Sequence, residues 1–250
     1  MELIIIGSGT GVLQTRRSSP GHILIIDNQI ILLDGGTGTL RKCLEAGISY
    51  KDVDKICYTH LHPDHTIDLI PFLFATKHTP EFIRKKRLEI FGPIGIKSFY
   101  LKLTELYGTG ITDVEYDIIL KELSENKFDF GTWKLQTKLM KHIKNAIGYR
   151  FEENDKVFVY SGDTDYCEEI IELSRYADVL LIECSFPDHL KVPGHLTPTE
   201  AGKIASKAGV DKLILTHLYP PCDEEDILKP CVEQFNGSVI IAMDLMKIEI

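Results

Sequence analysis

The sequence lacks four features that would direct it to particular classes of protein. No apolar run in it approaches the roughly 20 residues that a membrane-spanning helix needs, and the opening MELIIIGSG is too short and uncharged for a secretory signal. Its six cysteines are scattered without a C-x-x-C pair, which argues against a disulfide framework and favours reduced thiols in the cytoplasm. An excess of positive charge is also absent, and the net charge of −9 argues against nonspecific wrapping of nucleic acid.

What is present is the composition of an ordinary globular protein. The chain has 250 residues, of which 44% are hydrophobic and 26% charged, enough to bury a proper core. Without a repeat, linker or low-complexity segment, a single domain over residues 1–250 is predicted. Strand-like runs come first (ELIII, HILIID, IILLD) and strand–helix alternation follows, which predicts an α/β protein whose sheets are covered by helices. Helices are expected near residues 37–46, 95–107, 166–175, 198–208 and 223–235.

Two glycine-rich stretches and three histidines receive a structural interpretation. GSGTG has Val12 where a dinucleotide-binding fingerprint needs glycine, and GGTG lacks the lysine of a phosphate loop. Both stretches therefore predict tight turns or places where the backbone approaches another group closely. His22 is expected inside a strand and His78 in a polar loop, while nothing requires His189 to line a pocket.

Five apolar runs each end on a residue whose side chain can bind a metal. A single histidine after a strand is most often a turn residue or a hydrogen-bonded core group, but five such donors are hard to assign to chance. Functional groups collect beyond the carboxyl ends of strands in open α/β sheets, so parallel neighbours would bring all five to one rim. These donors are His60 after KICYT, His142 after LQTKLMK, Asp163 after VFVYSG, Glu183 after VLLI and His217 after LILT.

The stretch THLHPDH, residues 59–65, predicts a site for two metal ions. His60 and His62 are two residues apart and point the same way in an extended loop, whereas Asp64 and His65 follow a turn at proline and face a second point. Imidazole with few carboxylates and no thiolate favours zinc, with manganese, iron or cobalt as alternatives. Asp163 is the candidate bridge between two cations, which together would create hydroxide from a trapped water at neutral pH.

These motifs also carry a family resemblance. THLHPDH matches the H-x-H-x-D-H signature of the metallo-β-lactamase fold, and the later motifs follow in that family's order. Within the family the chain resembles the ribonuclease Z branch nearly from end to end. The supporting stretches are GSGTG with TRRSS, LLDGGTGTLRK, EIFGPIGIK, KHIKNAIGYR, YSGDTDYC, LLIECSF, GHLTPTEAG, LTHLYP and AMDLMKIEI.

The resemblance implies a four-layer αβ/βα sandwich with the active site at the edge between two β-sheets. It implies a dinuclear metal-dependent phosphodiesterase or endoribonuclease, which by analogy would be a homodimer. One metal would be held by His60, His62 and His142, the other by Asp64, His65 and His217, with Asp163 bridging them.

The resemblance also implies three catalytic roles. Asp64 would steer the attacking hydroxide, and His195 would contact the scissile phosphate and protonate the leaving oxygen. Glu183 would orient that histidine, and two cations with an imidazolium suit the charge that develops on a phosphodiester. The structural alternative is that Glu183 merely ends a strand and His195 caps the helix that begins near Thr197.

The chain departs from the ribonuclease Z branch in one respect. Those enzymes usually carry an arm that grips tRNA, inserted between the GY and SGDT motifs, but here GYRFEENDKVFVYSGDT joins the two motifs directly. This shortening leaves the chemistry unchanged and makes the 3′ end of precursor tRNA or a smaller phosphodiester alternative substrates. Basic residues that could attract a polyanion, if they lie near the cleft, are residues 84–87, Lys134, Lys138, Lys141 and Lys144.

Three other functions compete with phosphodiester hydrolysis. A hydrolase of carboxylic esters, lactones or thioesters would use the same scaffold, but the pair of His195 and Glu183 favours an alkoxide leaving group. A redox di-iron protein of this fold would have glutamate in place of His62. A non-catalytic binding relative would typically have lost ligands, and here all seven are present.

Overall fold

Two seven-stranded sheets form the body of the protein in the computed structural model, which describes residues 1–250. The strands are β1 (Glu2–Gly7), β2 (Gly21–Ile26), β3 (Gln29–Leu33), β4 (Lys55–Cys57), β5 (Leu88–Pro93), β6 (Ile118–Leu123), β7 (Lys127–Asp129), β8 (Trp133–Leu139), β9 (Ile147–Glu153), β10 (Lys156–Tyr160), β11 (Val179–Glu183), β12 (Lys212–Thr216), β13 (Ser238–Ile241) and β14 (Lys247–Glu249). The helices are α1 (Thr39–Glu45), α2 (Pro63–Thr66), α3 (Leu69–His78), α4 (Ile96–Tyr107), α5 (Glu168–Leu173), α6 (Pro198–Ala208) and α7 (Leu228–Val232).

The strand order gives each sheet a parallel half. In the first sheet, β14-β1-β2-β3-β4-β5-β6, the pairs from β3 to β6 are parallel. In the second, β13-β12-β11-β10-β9-β8-β7, the strands from β10 to β13 are parallel. Because β9 is antiparallel to both β8 and β10, β8 runs in the same direction as β10, β11 and β12. The carboxyl ends of these four strands therefore lie at one edge of the second sheet.

Three apolar clusters pack the two sheets against each other and the helices against their outer faces. The central cluster joins Ile5 and Leu24 of the first sheet to Phe158 and Leu181 of the second. An outer cluster packs α1, α3 and α4 on the first sheet, and another packs α5, α6 and α7 on the second. Sheets covered on both faces need strands that are apolar throughout, as in VLLIE of β11, all of which is buried. The predicted four-layer αβ/βα sandwich is confirmed.

Several element boundaries differ from the sequence-based expectation. β4, β8 and β10 each end three residues before the donor that was expected to terminate them. β6 was not predicted, since its half-exposed positions at the sheet edge break the apolar pattern. The helix expected at 223–235 is a 3₁₀ turn followed by the five-residue α7, in a segment interrupted by prolines.

The start of α6 rules out one alternative for His195. The N-cap of this helix is Thr197, whose side chain accepts a hydrogen bond from the backbone of Glu200 while Glu200 reaches back to the backbone of Thr197. The helix ends at Gly209, which has a φ of 66°. His195 therefore does not cap the helix and is free for another role.

The connection between β9 and β10 is a hairpin turn of two residues, Asn154 and Asp155. Their φ angles of 48° and 64° are those of a tight hairpin turn that matches the twist of the strands. This turn lies where the resemblance would place the tRNA-gripping arm of ribonuclease Z enzymes. The longest helix, α4, has 12 residues, and no helix combines the length and apolarity needed to cross a membrane.

The basic run at residues 84–87 lies away from the strand ends that carry the donors. It immediately precedes β5, which is parallel to β4, so it lies at the opposite end of the sheet from His60. Arg84 is buried and donates to backbone carbonyls, including that of Val53 at 2.7 Å, and Lys86 pairs with Asp54. The condition under which this run could attract a polyanion to the cleft, that it lies near the cleft, is therefore not met.

Candidate metal centre and active site

The donors meet where the edges of the two sheets face each other. Four of them (His142, Asp163, Glu183 and His217) lie at or just after the carboxyl ends of β8, β10, β11 and β12 in the second sheet. The fifth, His60, follows β4 of the first sheet and leads into α2, which carries Asp64 and His65. The expected single rim is thus formed by two sheets, and the site lies between them.

A first donor group gathers three imidazoles and one carboxylate. The Nε2 atom of His60 lies 3.0 Å from Nδ1 of His62, which lies 3.3 Å from Nε2 of His142. The Oδ2 atom of Asp163 lies 3.8 Å from the nitrogen of His60 and 3.7 Å from that of His142. All four atoms face one point.

A second donor group uses the other oxygen of the same carboxylate. The Nε2 atoms of His65 and His217 are 3.4 Å apart, and Oδ1 of Asp163 lies 3.4 Å from each. Oδ2 of Asp64 lies 3.8 Å from the nitrogen of His65 and 3.7 Å from that of His217. Asp163 therefore faces both groups, one with each oxygen.

The spacing within both groups fits divalent cations. An ion that binds four donors tetrahedrally at 2.0–2.2 Å needs those donors roughly 3.3–3.6 Å apart. The separations given above run from 3.0 to 3.8 Å, and all ligand atoms of a group lie within 4.8 Å of one another. Oδ1 of Asp163 is buried and makes no hydrogen bond. A buried carboxylate oxygen is costly without a partner, and a cation would supply one. The residues therefore fit the metals that the family resemblance implies.

The outer nitrogens of four histidines are held by hydrogen bonds. Nδ1 of His60 lies 3.0 Å from the hydroxyl of Thr59, and Nδ1 of His65 lies 2.8 Å from Asp34. Nδ1 of His142 lies 2.9 Å from the carbonyl oxygen of Gly194, and Nδ1 of His217 lies 3.0 Å from the hydroxyl of Ser185. With the proton on Nδ1, each ring directs the lone pair of Nε2 into the centre, as metal-binding histidines do.

Burial and neighbouring charges determine which residues of the donor groups are ionised. Burial, together with His65, lowers the pKa of His60 well below its ordinary value and keeps the ring neutral. Burial opposes ionisation of Asp163, but His217 and His65 hold its pKa well below its usual range. Burial also lowers the pKa of His65, but Asp163 and Asp34 outweigh it and raise the pKa, so a metal must displace a proton there.

Asp34, which the sequence did not single out, holds a histidine of the second donor group. It is fully buried and accepts hydrogen bonds from the backbone and hydroxyl of Thr59, from the hydroxyl of Tyr160 and from His65. Asp34 follows β3 directly, as the donors follow their own strands. The rule of donors at strand ends, applied to IILLD, could have found it.

His195 lies beside the two donor groups with its own carboxylate partner. Its Nδ1 atom is 3.1 Å from Oε1 of Glu183, and its side chain is 14% exposed, so it reaches the cleft. Glu183 is fully buried and is fixed by the backbone N–H groups of Thr164 and Leu196 at 2.7 and 2.9 Å. Burial lowers the pKa of His195, but the hydrogen bond to Glu183 outweighs it and raises the pKa. Ser185, also missed from sequence, donates to the second oxygen of Glu183.

The two glycine-rich stretches bring the backbone close to Asp64. A Cβ atom on Gly36 would lie 1.9 Å from the carbonyl oxygen of Asp64, and one on Gly11 would lie 3.2 Å from its Oδ2. Larger side chains cannot occupy Gly36 without displacing α2. Close contact with Asp64 therefore explains these glycines without a bound nucleotide.

The remaining histidines lie outside the donor groups. His22 is buried in β2 with its ring edge-on to Tyr160. His78 is the last residue of α3 rather than part of a loop. His189 is exposed and lies 3.6 Å from Glu225.

Comparisons with known proteins agree with this architecture. Residues 29–218 match the family model of the β-lactamase superfamily domain. Ribonuclease Z of Methanosarcina mazei is 28% identical over an alignment of 309 positions that covers 100% of this chain and 98% of that protein. The solved structures of YhfI from Bacillus subtilis and of the short form of human tRNase Z each superpose with a TM-score of 0.84. YhfI is 24% identical, covering 99% of this chain and 98% of that one, and the human protein is 23% identical, covering 100% and 99%.

Proposed function

The chain belongs to the β-lactamase superfamily, and from that premise we propose that it is a dinuclear metal-dependent phosphodiesterase of the ribonuclease Z type. The observation that carries the proposal is the position of Asp163, whose two oxygens face two separate groups of donors. The similarity to Ribonuclease Z along the whole chain supports the reaction class. We propose that residues 1–250 act as a single catalytic domain.

Each donor group would hold one ion. His60, His62 and His142 would hold the first, while Asp64, His65 and His217 would hold the second, with Asp163 shared. Nitrogen and oxygen donors without thiolate favour zinc, and manganese, iron or cobalt fit the same set. When bound, two such cations polarise a phosphate and lower the pKa of an attacking water.

The protein's own groups complete the reaction. The side chain of Asp64 is 21% exposed, so it can accept a hydrogen bond from the attacking water. Glu183 holds Nδ1–H of His195, which leaves Nε2–H to pass a proton to the oxygen that departs from phosphorus. The imidazolium also offsets the negative charge that develops on the phosphate. This acid favours phosphodiesters over lactones or thioesters.

Two observations bear on the size of the substrate. The two-residue turn between β9 and β10 leaves no arm for a large RNA at that position. The basic run at residues 84–87 lies at the opposite end of the first sheet, whereas the side chain of Lys141 is exposed beside the centre. A small phosphodiester and the 3′ end of precursor tRNA both remain within the proposal. The human relative is described as a tRNase Z.

The resemblance also leads us to propose a homodimer in the cytoplasm. All six cysteines are free, which suits a reducing compartment. Exposed apolar side chains of Phe74, Leu106 and Tyr107 on α3 and α4 offer a surface for a second copy. Light scattering of the purified protein would give the oligomeric state.

The test is hydrolysis by the zinc- or manganese-loaded protein. Bis(p-nitrophenyl) phosphate should be cleaved, and lactone and thioester substrates should be cleaved far more slowly. Unprocessed tRNA beside short phosphodiesters then gives the preferred substrate from the ratio of catalytic efficiencies. Asp163→Ala should abolish the activity, whereas Asp129→Ala, in the distant strand β7, should leave it unchanged. Activity that survives Asp163→Ala, or hydrolysis of lactones and thioesters alone, would contradict the proposal.

A further inference from the structure

We propose that Lys191 is a positioning residue for the reaction, one that fixes the turn of residues 191–195 so that His195 reaches the leaving oxygen. The inference rests on the proposed function, because it assigns His195 the role of proton donor. Lys191 belongs to neither donor group, and no motif of the sequence pointed to it.

The ammonium group of Lys191 joins three segments of the protein. Its Nζ atom donates to Oδ1 of Asp165 at 2.7 Å, to Oε2 of Glu200 and to the carbonyl oxygen of His195 itself. The side chain is only 29% exposed. An isolated surface ion pair contributes little, but this ammonium has three acceptors that each come from a different segment.

Two of these acceptors are themselves fixed. Asp165 follows the shared carboxylate Asp163 by two residues, and its backbone N–H donates to the carbonyl oxygen of Lys141 at 2.7 Å. Glu200 lies in the first turn of α6 and accepts a hydrogen bond from the backbone of Thr197 at 3.1 Å. Lys191 therefore ties the turn to the loop after β10 and to the start of a helix.

The turn of residues 191–195 contacts the first donor group and also carries His195. The backbone N–H of Gly194 donates to Oδ2 of Asp165 at 3.0 Å, and its carbonyl oxygen accepts from His142. Gly194 has a φ of 90°, and the preceding residues Val192 and Pro193 are exposed, so little packing holds the turn from outside. Hydrogen bonds from Lys191 and to Asp165 therefore hold the backbone of the turn, while the ring of His195 also lies beside the rings of His142 and His217.

Removal of the ammonium should displace the turn. Without it, the carboxylates of Asp165 and Glu200 would lose the ammonium that they share, which leaves Asp165 only the exposed Lys141 at 3.9 Å, and the carbonyl oxygen of His195 would lose its donor. The ring would keep its bond to Glu183 but at a changed angle to the leaving oxygen. A displacement of about 1 Å can lower a rate by on the order of 100-fold.

The loss should depend on the leaving group. During hydrolysis the attacking water gives up one proton to solvent as its oxygen bonds to phosphorus, the bond from phosphorus to the ester oxygen breaks, and His195 gives its proton to that oxygen. A p-nitrophenolate leaves without a proton, whereas a more basic phenolate needs one. A misplaced His195 therefore slows esters of basic phenols selectively.

The experiment uses aryl esters of thymidine 5′-monophosphate that differ only in the phenol: p-nitrophenol, phenol and p-methoxyphenol. For the metal-loaded Lys191→Met variant, we expect kcat to fall less than about threefold with p-nitrophenol and by on the order of 30-fold or more with p-methoxyphenol. Lys191→Arg should recover most of the loss. Lys203→Met, on the exposed side of α6, is the matched control and should behave as the wild type with every ester.

Two further measurements separate positioning from general damage. Lys191→Met should remain folded at the assay temperature, with an unfolding midpoint lowered by the loss of the three hydrogen bonds that the ammonium donates. At saturating metal it should bind as much metal as the wild type, so that a shift of the Gly194 carbonyl beside His142 does not enter the comparison. An equal loss with all three esters, no loss with any, or a loss that Lys191→Arg does not reduce would overturn the inference. Failure of the proposed function looks different, because the wild type would then hydrolyse none of the esters.

Discussion

Asp34 gives the most direct test of how the protein prepares a histidine for metal binding. Its Oδ2 atom accepts from Nδ1 of His65 at 2.8 Å and from the hydroxyls of Thr59 and Tyr160, also at 2.8 Å. Its Oδ1 atom accepts from the backbone N–H of Thr59 at 2.8 Å. In Asp34→Asn, the amide oxygen can replace Oδ2, so three hydrogen bonds survive while the negative charge and the bond to the backbone are lost.

The expected effect on metal affinity follows from the loss of the negative charge beside His65. Loss of a carboxylate that hydrogen-bonds to a metal-binding histidine weakens metal binding by about 10- to 100-fold, which corresponds to about 1.4–2.8 kcal/mol. The ion held through His65 should be affected, and the ion held through His60, His62 and His142 should be affected less. Asp34→Ala leaves four donors unpaired in a buried site and should in addition destabilise the fold by several kcal/mol.

Competition with a chromophoric chelator measures both affinities. Asp54→Asn is the matched control, because Asp54 accepts from the backbone of Ile30 at the far end of the same sheet. Its metal affinities should equal those of the wild type. If Asp34→Asn binds both ions as tightly as the wild type, the hydrogen bond between Asp34 and His65 has no part in metal binding and the reasoning fails.

Two further predictions concern stability. Burial, together with nearby histidines, lowers the pKa of His22 from 6.5 to about 3, so its neutral ring supports the fold above pH 6.5 and that support is lost as the pH falls towards 3. Between pH 7 and 5, the unfolding free energy of the metal-free wild type should therefore fall by about 2 kcal/mol more than that of His22→Leu. Urea unfolding at the two pH values measures both, and equal falls would contradict the prediction. The Cβ atom of Gly36→Ala would lie 1.9 Å from the carbonyl oxygen of Asp64, so this variant should lose about 1–3 kcal/mol of unfolding free energy and have a lower kcat. In the control Gly110→Ala the Cβ atom meets nothing closer than 4.0 Å, so both quantities should change little.

The sequence was most informative where a local rule has a physical cause. The strand VLLIE ends at Glu183 and the helix PTEAGKIASKA spans residues 198–208, both as predicted. Apolar runs that end on polar donors marked the rim of the second sheet, since strands buried on both faces can carry such groups only beyond their ends. The fold and the likeness to ribonuclease Z, read from THLHPDH and the later motifs, are confirmed.

What the sequence did not indicate depends on contacts between distant segments. Nothing in residues 84–87 shows which end of the first sheet they occupy, and only the parallel pairing of β4 and β5 decides it. Lys191 looks like any other lysine until Asp165 and Glu200 are brought to it from other segments. Asp34 was within reach of the strand-end rule, but its hydrogen bond to His65 could not be predicted from spacing alone.

The hydroxyl of Ser185 connects the two halves of the site. It donates to Glu183 at 2.7 Å and lies 3.0 Å from Nδ1 of His217 and 3.2 Å from Nδ1 of His195. With its proton committed to Glu183, the oxygen has two lone pairs left. One can accept from Nδ1–H of His217, and the other can share Nδ1–H of His195 with Oε1 of Glu183. A histidine of the second donor group and the proposed proton donor thus share one acceptor, and Glu183 orients both, one directly and one through Ser185. Substitutions within this set should not be additive, because a shift of either ring changes the hydrogen bond available to the other.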